Sequence, residues 1–90
     1  MLGTAHIRAG AIMAKKAELD GVERVKRYLK AELKRADITY EELANRLQKA
    51  GLDETAASVT NKLSRGTFPA TFFVAAVKAI GIEEIRLKDL

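Results

Sequence analysis

The stretch from Ile38 to Gly66, ITYEELANRLQKAGLDETAASVTNKLSRG, constrains the fold more than any other, because it spells out two helices with their starts and stops. Thr39 and Glu42 stand at the S/T-x-x-E spacing of a capping box, in which the hydroxyl takes the backbone N–H three residues on; a helix starting at Tyr40 is predicted. Ile38 before the cap and Leu43 inside the helix match the hydrophobic staple that fixes the angle of chain entry. Gly51 can adopt the left-handed conformation that closes a helix, and Leu52 is then placed to touch Leu47. Asp53 is the expected cap of the next helix, which runs to Gly66. Only Gly51, Leu52 and Asp53 are expected to separate the two helices.

A glycine-containing turn of that length is typical of a helix-turn-helix unit. In its first helix Leu43, Ala44 and Leu47 recur at helical spacing; in its second, Ala56, Val59, Thr60 and Leu63 fall within one stripe. The opposite stripe of the second helix holds Glu54, Ser58, Asn61, Lys62 and Arg65. These residue types suit a recognition helix: arginine bonds guanine O6 and N7, asparagine bonds adenine N6 and N7, and serine fits either. The competing reading is a solvated face with no partner.

Around this unit the chain reads as helical almost throughout. With a single proline and few β-branched runs among 90 residues, local preference favours helix over strand. Ninety residues make one domain with one core. The absence of cysteine removes disulfides and thiolate metal sites and makes the cytoplasm the expected compartment. No span is long enough to cross a bilayer, and His6, Arg8 and Gly10 interrupt any apolar core of a secretory signal.

Residues 1–20 lack sustained periodicity and contain Gly3 and Gly10, so a flexible basic arm is expected ahead of a helical domain over residues 21–90. Met13, followed by Ala14, Lys15 and Lys16, has the pattern of an internal translation start, in which case residues 1–12 fall outside the native protein. From Asp20 or Gly21 a long helix is predicted, with Val22, Val25, Leu29, Leu33 and Ala36 along one face. Lys26, Lys30 and Lys34 stack at four-residue intervals on its outside. This like-charge column costs roughly 0.2–0.5 kcal/mol per neighbouring pair in an isolated helix and would be relieved by an anion. The alternative is a solubilising face, partly offset by a Glu23–Arg27 pair. Net charge follows the same division: Met1 to Ala36 carries nine Lys or Arg against four acids, Asp37 to Gly66 four against five, and the remainder three against three.

After Gly66 the segment Thr67–Phe68–Pro69 leads into a helix predicted over Ala70–Ile80, since proline suits a helix start and biases the residue before it toward an extended conformation. Phe72, Phe73, Ala76, Val77 and Ile80 form the most apolar stripe in the chain, with Phe68 beside them, and read as core. Gly81 is the expected stop, with Ile82 against Val77. The tail IEEIRLKDL keeps Ile85, Leu87 and Leu90 apolar and either closes the core or builds a dimer contact.

A long first helix, ITYEELANRL, a short turn, a polar-faced helix ending in LSRG and a proline-started helix ending in IG together resemble the lambda-repressor-like helix-turn-helix superfamily. More closely, VKRYLKAELKRADITYEELANRL and NKLSRGTFPATFF look like a bacterial domain-of-unknown-function family of short helix-turn-helix-like proteins, over about Val22 to Leu87. The resemblance implies an all-α, compact four- to five-helix domain in which the second helix crosses a DNA backbone and the third enters the major groove. Leu43, Ala44 and Leu47 would be the core of helix two, Ala56, Val59, Thr60 and Leu63 the anchors of helix three, and Arg65 with Gly66 the turn into helix four. Two departures bear on docking: helix two continues a turn further, through QKAG, and Asp53 and Glu54 put acid where a phosphate would lie.

The function expected is sequence-selective binding of double-stranded DNA by a small transcriptional regulator. Ser58, Asn61 and Arg65 face bases, and Lys26, Lys30, Lys34 and Lys62 face phosphates. The alternative is a helical interaction or dimerisation module, a homodimer included, that docks through the tail and the Phe68–Phe73 region without nucleic acid. Catalysis is not expected: His6 is the only histidine, no phosphate-cradling glycine loop or metal-ligand cluster is present, and Glu41 with Glu42 and Glu83 with Glu84 are sequence neighbours that diverge around a helix. No cofactor is implied.

Overall fold

The computed structural model describes the backbone of residues 2–90 and the side chains of residues 16–90. Four α-helices follow in order: α1, Leu2–Arg35; α2, Tyr40–Lys49; α3, Ala56–Arg65; and α4, Ala70–Ile80. A 3-10 turn at Leu87–Asp89 lies near the end, and no strand is present among the described residues. The readings of His6, Met13 and residues 1–12 lie outside the described side chains.

The stretch expected as an arm is helical from Leu2 and continuous with the predicted first helix. Its alanines, Ala5, Ala9, Ala11, Ala14 and Ala17, are the best helix formers available, and they offset glycines that cost about 1 kcal/mol each. Gly21 thus sits inside α1 instead of capping it. At the other end α1 stops ahead of a residue that was not expected to end a helix. Asp37 takes φ 57°, the left-handed conformation that aspartate tolerates better than most non-glycine residues. The Ile38 N–H then bonds the Leu33 carbonyl at 2.9 Å, closing the helix between two residues that are both buried. Ala36, expected on the core face, falls in this turn and is exposed.

Two further helices end in the same way. Gly51 at φ 92° lets the Leu52 N–H reach the Leu47 carbonyl at 2.9 Å, and Gly81 at φ 97° lets that of Ile82 reach Val77 at 3.0 Å. The start of α2 is as predicted on one side: the Thr39 hydroxyl accepts from the Glu42 N–H at 3.1 Å. The Glu42 carboxylate does not return to the cap; it accepts from Arg46 Nε at 3.1 Å, while Arg46 Nη1 also reaches the Ala79 carbonyl at 2.8 Å and ties α2 to the end of α4.

The start of α3 differs from expectation. Its cap is Thr55, not Asp53, and Ser58 closes a reciprocal box: Thr55 Oγ1 accepts from the Ser58 N–H at 3.1 Å, and Ser58 Oγ accepts from the Thr55 N–H at 2.8 Å. The connection between α2 and α3 therefore runs from Ala50 to Thr55, longer than the three-residue turn predicted. Two bonds for one cap outcompete the single bond Asp53 could supply.

All four helices feed one core. Leu29 and Leu33 of α1, Leu43, Ala44 and Leu47 of α2, Val59 and Leu63 of α3, and Phe72, Ala76 and Val77 of α4 are buried, with Ile38. Phe68 joins the predicted aromatic set, its ring centroid 5.1 Å from Phe72 and 6.4 Å from Phe73. Thr60, expected as an α3 anchor, is exposed and bonds back to the Ala56 carbonyl at 2.7 Å.

Candidate nucleic-acid interface

What positions α3 is the way its last turn lands on α1. Gly66 has φ 72°, and a Cβ there would lie 2.7 Å from Val22 Cγ1, 3.1 Å from the Val22 carbonyl and 3.3 Å from Lys26 Cβ. No side chain fits, so the end of α3 rests directly on α1, and Arg65 is held next to the start of the lysine column. The structure thus lays the last turn of α3 against the start of the lysine column, a relation that no pattern within either helix states.

On that column Lys26 is three-quarters buried along its stem and lies 3.8 Å from Glu23, which pairs with it and not with Arg27 as expected. Lys30 and Lys34 are exposed. Together with Arg27 they border a shallow trough of about 330 Å³ in which Glu23 is the one acid. This flank of α1 is therefore net cationic along three helical turns.

The expected face of α3 divides in two. Asn61 and Arg65 are exposed. Ser58 is half-buried and consumed by the cap: besides its bonds with Thr55, its hydroxyl donates to Glu54 Oε1 at 2.7 Å. Lys62 is also withdrawn. Its ammonium pairs with Glu54 Oε2 and sits 4.9 Å from the centroid of the Phe72 ring, a cation–π position. Glu54, expected to face outward, is only 6% exposed. Burial alone would raise its carboxyl pKa; the bonds from Lys62 and Ser58 outweigh burial and hold it below the ordinary carboxylate range.

Glu54 is thus a hub under α3. Its side chain holds two successive turns of the helix, its carbonyl accepts from Gln48 Nε2 of α2 at 2.5 Å, and Lys62 carries the link on to α4. No acidic side chain remains at the start of the exposed face except Asp53. The outward stripe of α3 consists of Ala57, Thr60, Asn61, Ser64 and Arg65. Of the stripe predicted as buried, Val59 and Leu63 are buried, whereas Ala56 is half-buried and Thr60 is exposed. Burial continues through Gly66 instead, so the exposed face is rotated toward Ser64, and the glycine was the available signal for that rotation.

The larger cleft, about 1080 Å³ between α1 and the tail, has no dominant sign. In it Arg24 pairs with Asp20 at 3.0 Å, Arg35 with Glu32 at 2.5 Å and Arg86 with Asp89 at 3.4 Å. Tyr28 beside them is made harder to ionise by burial first and then by Glu32 and Asp89, with Arg35 opposing, so it stays a neutral phenol. Among the described residues, no cluster of His, Cys, Asp or Glu is fit to hold a metal and no helix is long and apolar enough to cross a membrane.

Comparison with known proteins adds one result. Neither curated proteins nor solved structures provide a match. A family model described as "Domain of unknown function (DUF6471)" matches residues 22–85, from Val22, where α3 touches α1, to Ile85 in the tail. The match takes in the part of α1 that packs, all of α2 to α4 and more than two thirds of the chain, and the protein belongs to this family.

Proposed function

We propose that the protein binds double-stranded DNA selectively, as a small cytoplasmic transcriptional regulator, with α2 and α3 acting in the manner of a lambda-repressor-like helix-turn-helix pair. The observation that supports this reading is the contact of Gly66 with Val22 and Lys26, which lays the end of α3, next to the exposed Arg65, against the first lysine of the cationic flank of α1. Asn61 and Arg65 then face bases, with Ser64 in place of the cap-bound Ser58, while Lys26, Lys30 and Lys34 face phosphates. Lys62 contributes through the position of α3 and not through a phosphate, because Glu54 already holds its charge. The longer α2–α3 connection sets a docking angle of its own.

The test is selection of bound duplexes from a random pool, followed by anisotropy titration of the recovered sequence at several salt concentrations. A defined motif, bound more weakly as salt rises, is the expected result. No binding at low ionic strength rejects the reading. Within it, Asn61→Ala relaxes specificity at one position, whereas Lys30→Ala weakens all duplexes alike.

A further inference from the structure

We propose, resting on the DNA reading above, that Thr60 reads the 5-methyl group of a thymine, so that the first half of α3 selects a base by apolar contact and the second half by hydrogen bonds. Three residues at the start of α3 carry hydroxyl groups, Thr55, Ser58 and Thr60, and the fold engages all three. Thr55 Oγ1 accepts from the Ser58 N–H at 3.1 Å, Ser58 Oγ donates to Glu54 Oε1 at 2.7 Å, and Thr60 Oγ1 donates to the Ala56 carbonyl at 2.7 Å.

Charge is missing from this half as well. Glu54 is buried, Ala56 to Thr60 contain no ionisable side chain, and the exposed Asp53 lies before the cap. What remains for a partner is carbon. Between Ala56 and Thr60 the exposed residues are Ala57 and Thr60, which stand three apart and so are neighbours on one face. With its oxygen turned onto the backbone, Thr60 offers its methyl group beside that of Ala57.

In the major groove of a duplex the thymine methyl is the apolar member of a recognition pattern otherwise made of hydrogen-bond donors and acceptors. A face whose hydroxyls are already occupied would leave those donors and acceptors without partners. Against a methyl group it gains, because both surfaces leave water. Thr60 also lies in the part of the helix where such a contact is made, since the N-terminal residues of a recognition helix reach the base edges. From Asn61 onward the exposed face becomes polar, through Ser64 to Arg65. The engaged hydroxyl is what makes Thr60 selective: a free one could bond to several bases and would blur the choice.

Deoxyuridine provides the test, because it differs from thymidine by that methyl group alone. Each thymine of the duplex recovered by random-pool selection is replaced in turn with deoxyuridine, and the affinity of the full chain is measured by anisotropy. At one thymine the replacement should weaken binding about fourfold, the effect of burying one CH₂-sized group. Thr60→Ser keeps the hydroxyl and lacks the methyl, so it should bind both duplexes equally. Thr60→Val keeps a methyl and lacks the hydroxyl, and should still prefer thymine. Position 60 is exposed, so both variants should fold as the wild type does. A recovered motif without thymine, thymines that can all be replaced without loss, a Thr60→Ser variant that still discriminates or a Thr60→Val variant that does not would overturn the methyl contact and leave DNA binding standing. Failure to recover any bound duplex would overturn both.

Discussion

Replacing Gly66 with alanine puts a methyl group 2.7 Å from Val22 Cγ1 and 3.1 Å from the Val22 carbonyl, in a backbone conformation that alanine disfavours. The expected loss is about 2–4 kcal/mol, from left-handed strain and overpacking together. Gly51 has a similar φ of 92° but nothing within 4 Å of the added Cβ, so Gly51→Ala should cost only about 1 kcal/mol. Chemical denaturation of both variants separates the close approach from the turn. Glu54 offers a second measurement at this scale. Its carboxyl pKa is lowered on folding, so the Glu54 contribution is present above its unfolded pKa and is lost as pH falls through the lower folded value. Glu54→Gln should destabilise the protein by about 2 kcal/mol at pH 7 and flatten the decline in stability below about pH 4. An unchanged acid limb in the variant would show that the Glu54 carboxyl titrates alike in the folded and unfolded chain. The sequence did not reveal this hub. An acid beside a predicted helix start reads as a surface residue, and its burial depends on Lys62, eight residues away, and on Phe72 of another helix.

Helix ends were legible wherever a few adjacent residues decide them. Thr39, Gly51, Pro69 and Gly81 each act through bonds to residues no more than five positions away, and α2 and α4 have the predicted bounds. The start of α3 was not legible, because Asp53, Glu54 and Thr55 are competing candidates and the reciprocal bonds with Ser58 settle the choice in favour of Thr55. The same competition separates two residues that the sequence placed in one role. Ser58→Ala should remove the reciprocal cap and lower stability by about 1 kcal/mol while leaving duplex preference intact; Asn61→Ala should do the reverse. Thermal melts and binding titrations on the two variants would check this, and a change of sequence preference in Ser58→Ala would contradict the cap. In α1, Gly21 has the composition of a boundary, yet it lies in mid-helix with nothing within 4 Å of an added Cβ. Gly21→Ala should therefore stabilise the protein by about 0.5–1 kcal/mol, visible as a raised melting temperature.

For the whole molecule, periodicity marked a cationic column on α1 and a polar face on α3, but no pattern within either helix states their relation. That relation comes from a tertiary contact, Gly66 on Val22 and Lys26, and it turns the DNA proposal into a quantitative expectation. Each lysine that neutralises a phosphate adds about 0.9 to the slope of log affinity against log salt. Lys30→Ala and Lys34→Ala should each reduce that slope by about one and, combined, by about two, with little effect on stability because both side chains are exposed. Lys62→Ala should behave in the opposite way. Its charge is held by Glu54, so the salt slope should stay within error of the wild type, while stability falls because a buried carboxylate loses its partner. Anisotropy titrations across a salt series would separate the two kinds of lysine. A slope that drops equally for Lys62→Ala and Lys30→Ala would mean that the Glu54 pair opens on binding and α3 docks through its inner flank. A slope unmoved by Lys30 and Lys34 would place the duplex away from α1, and the contact that joins α1 to α3 would then be a feature of packing alone.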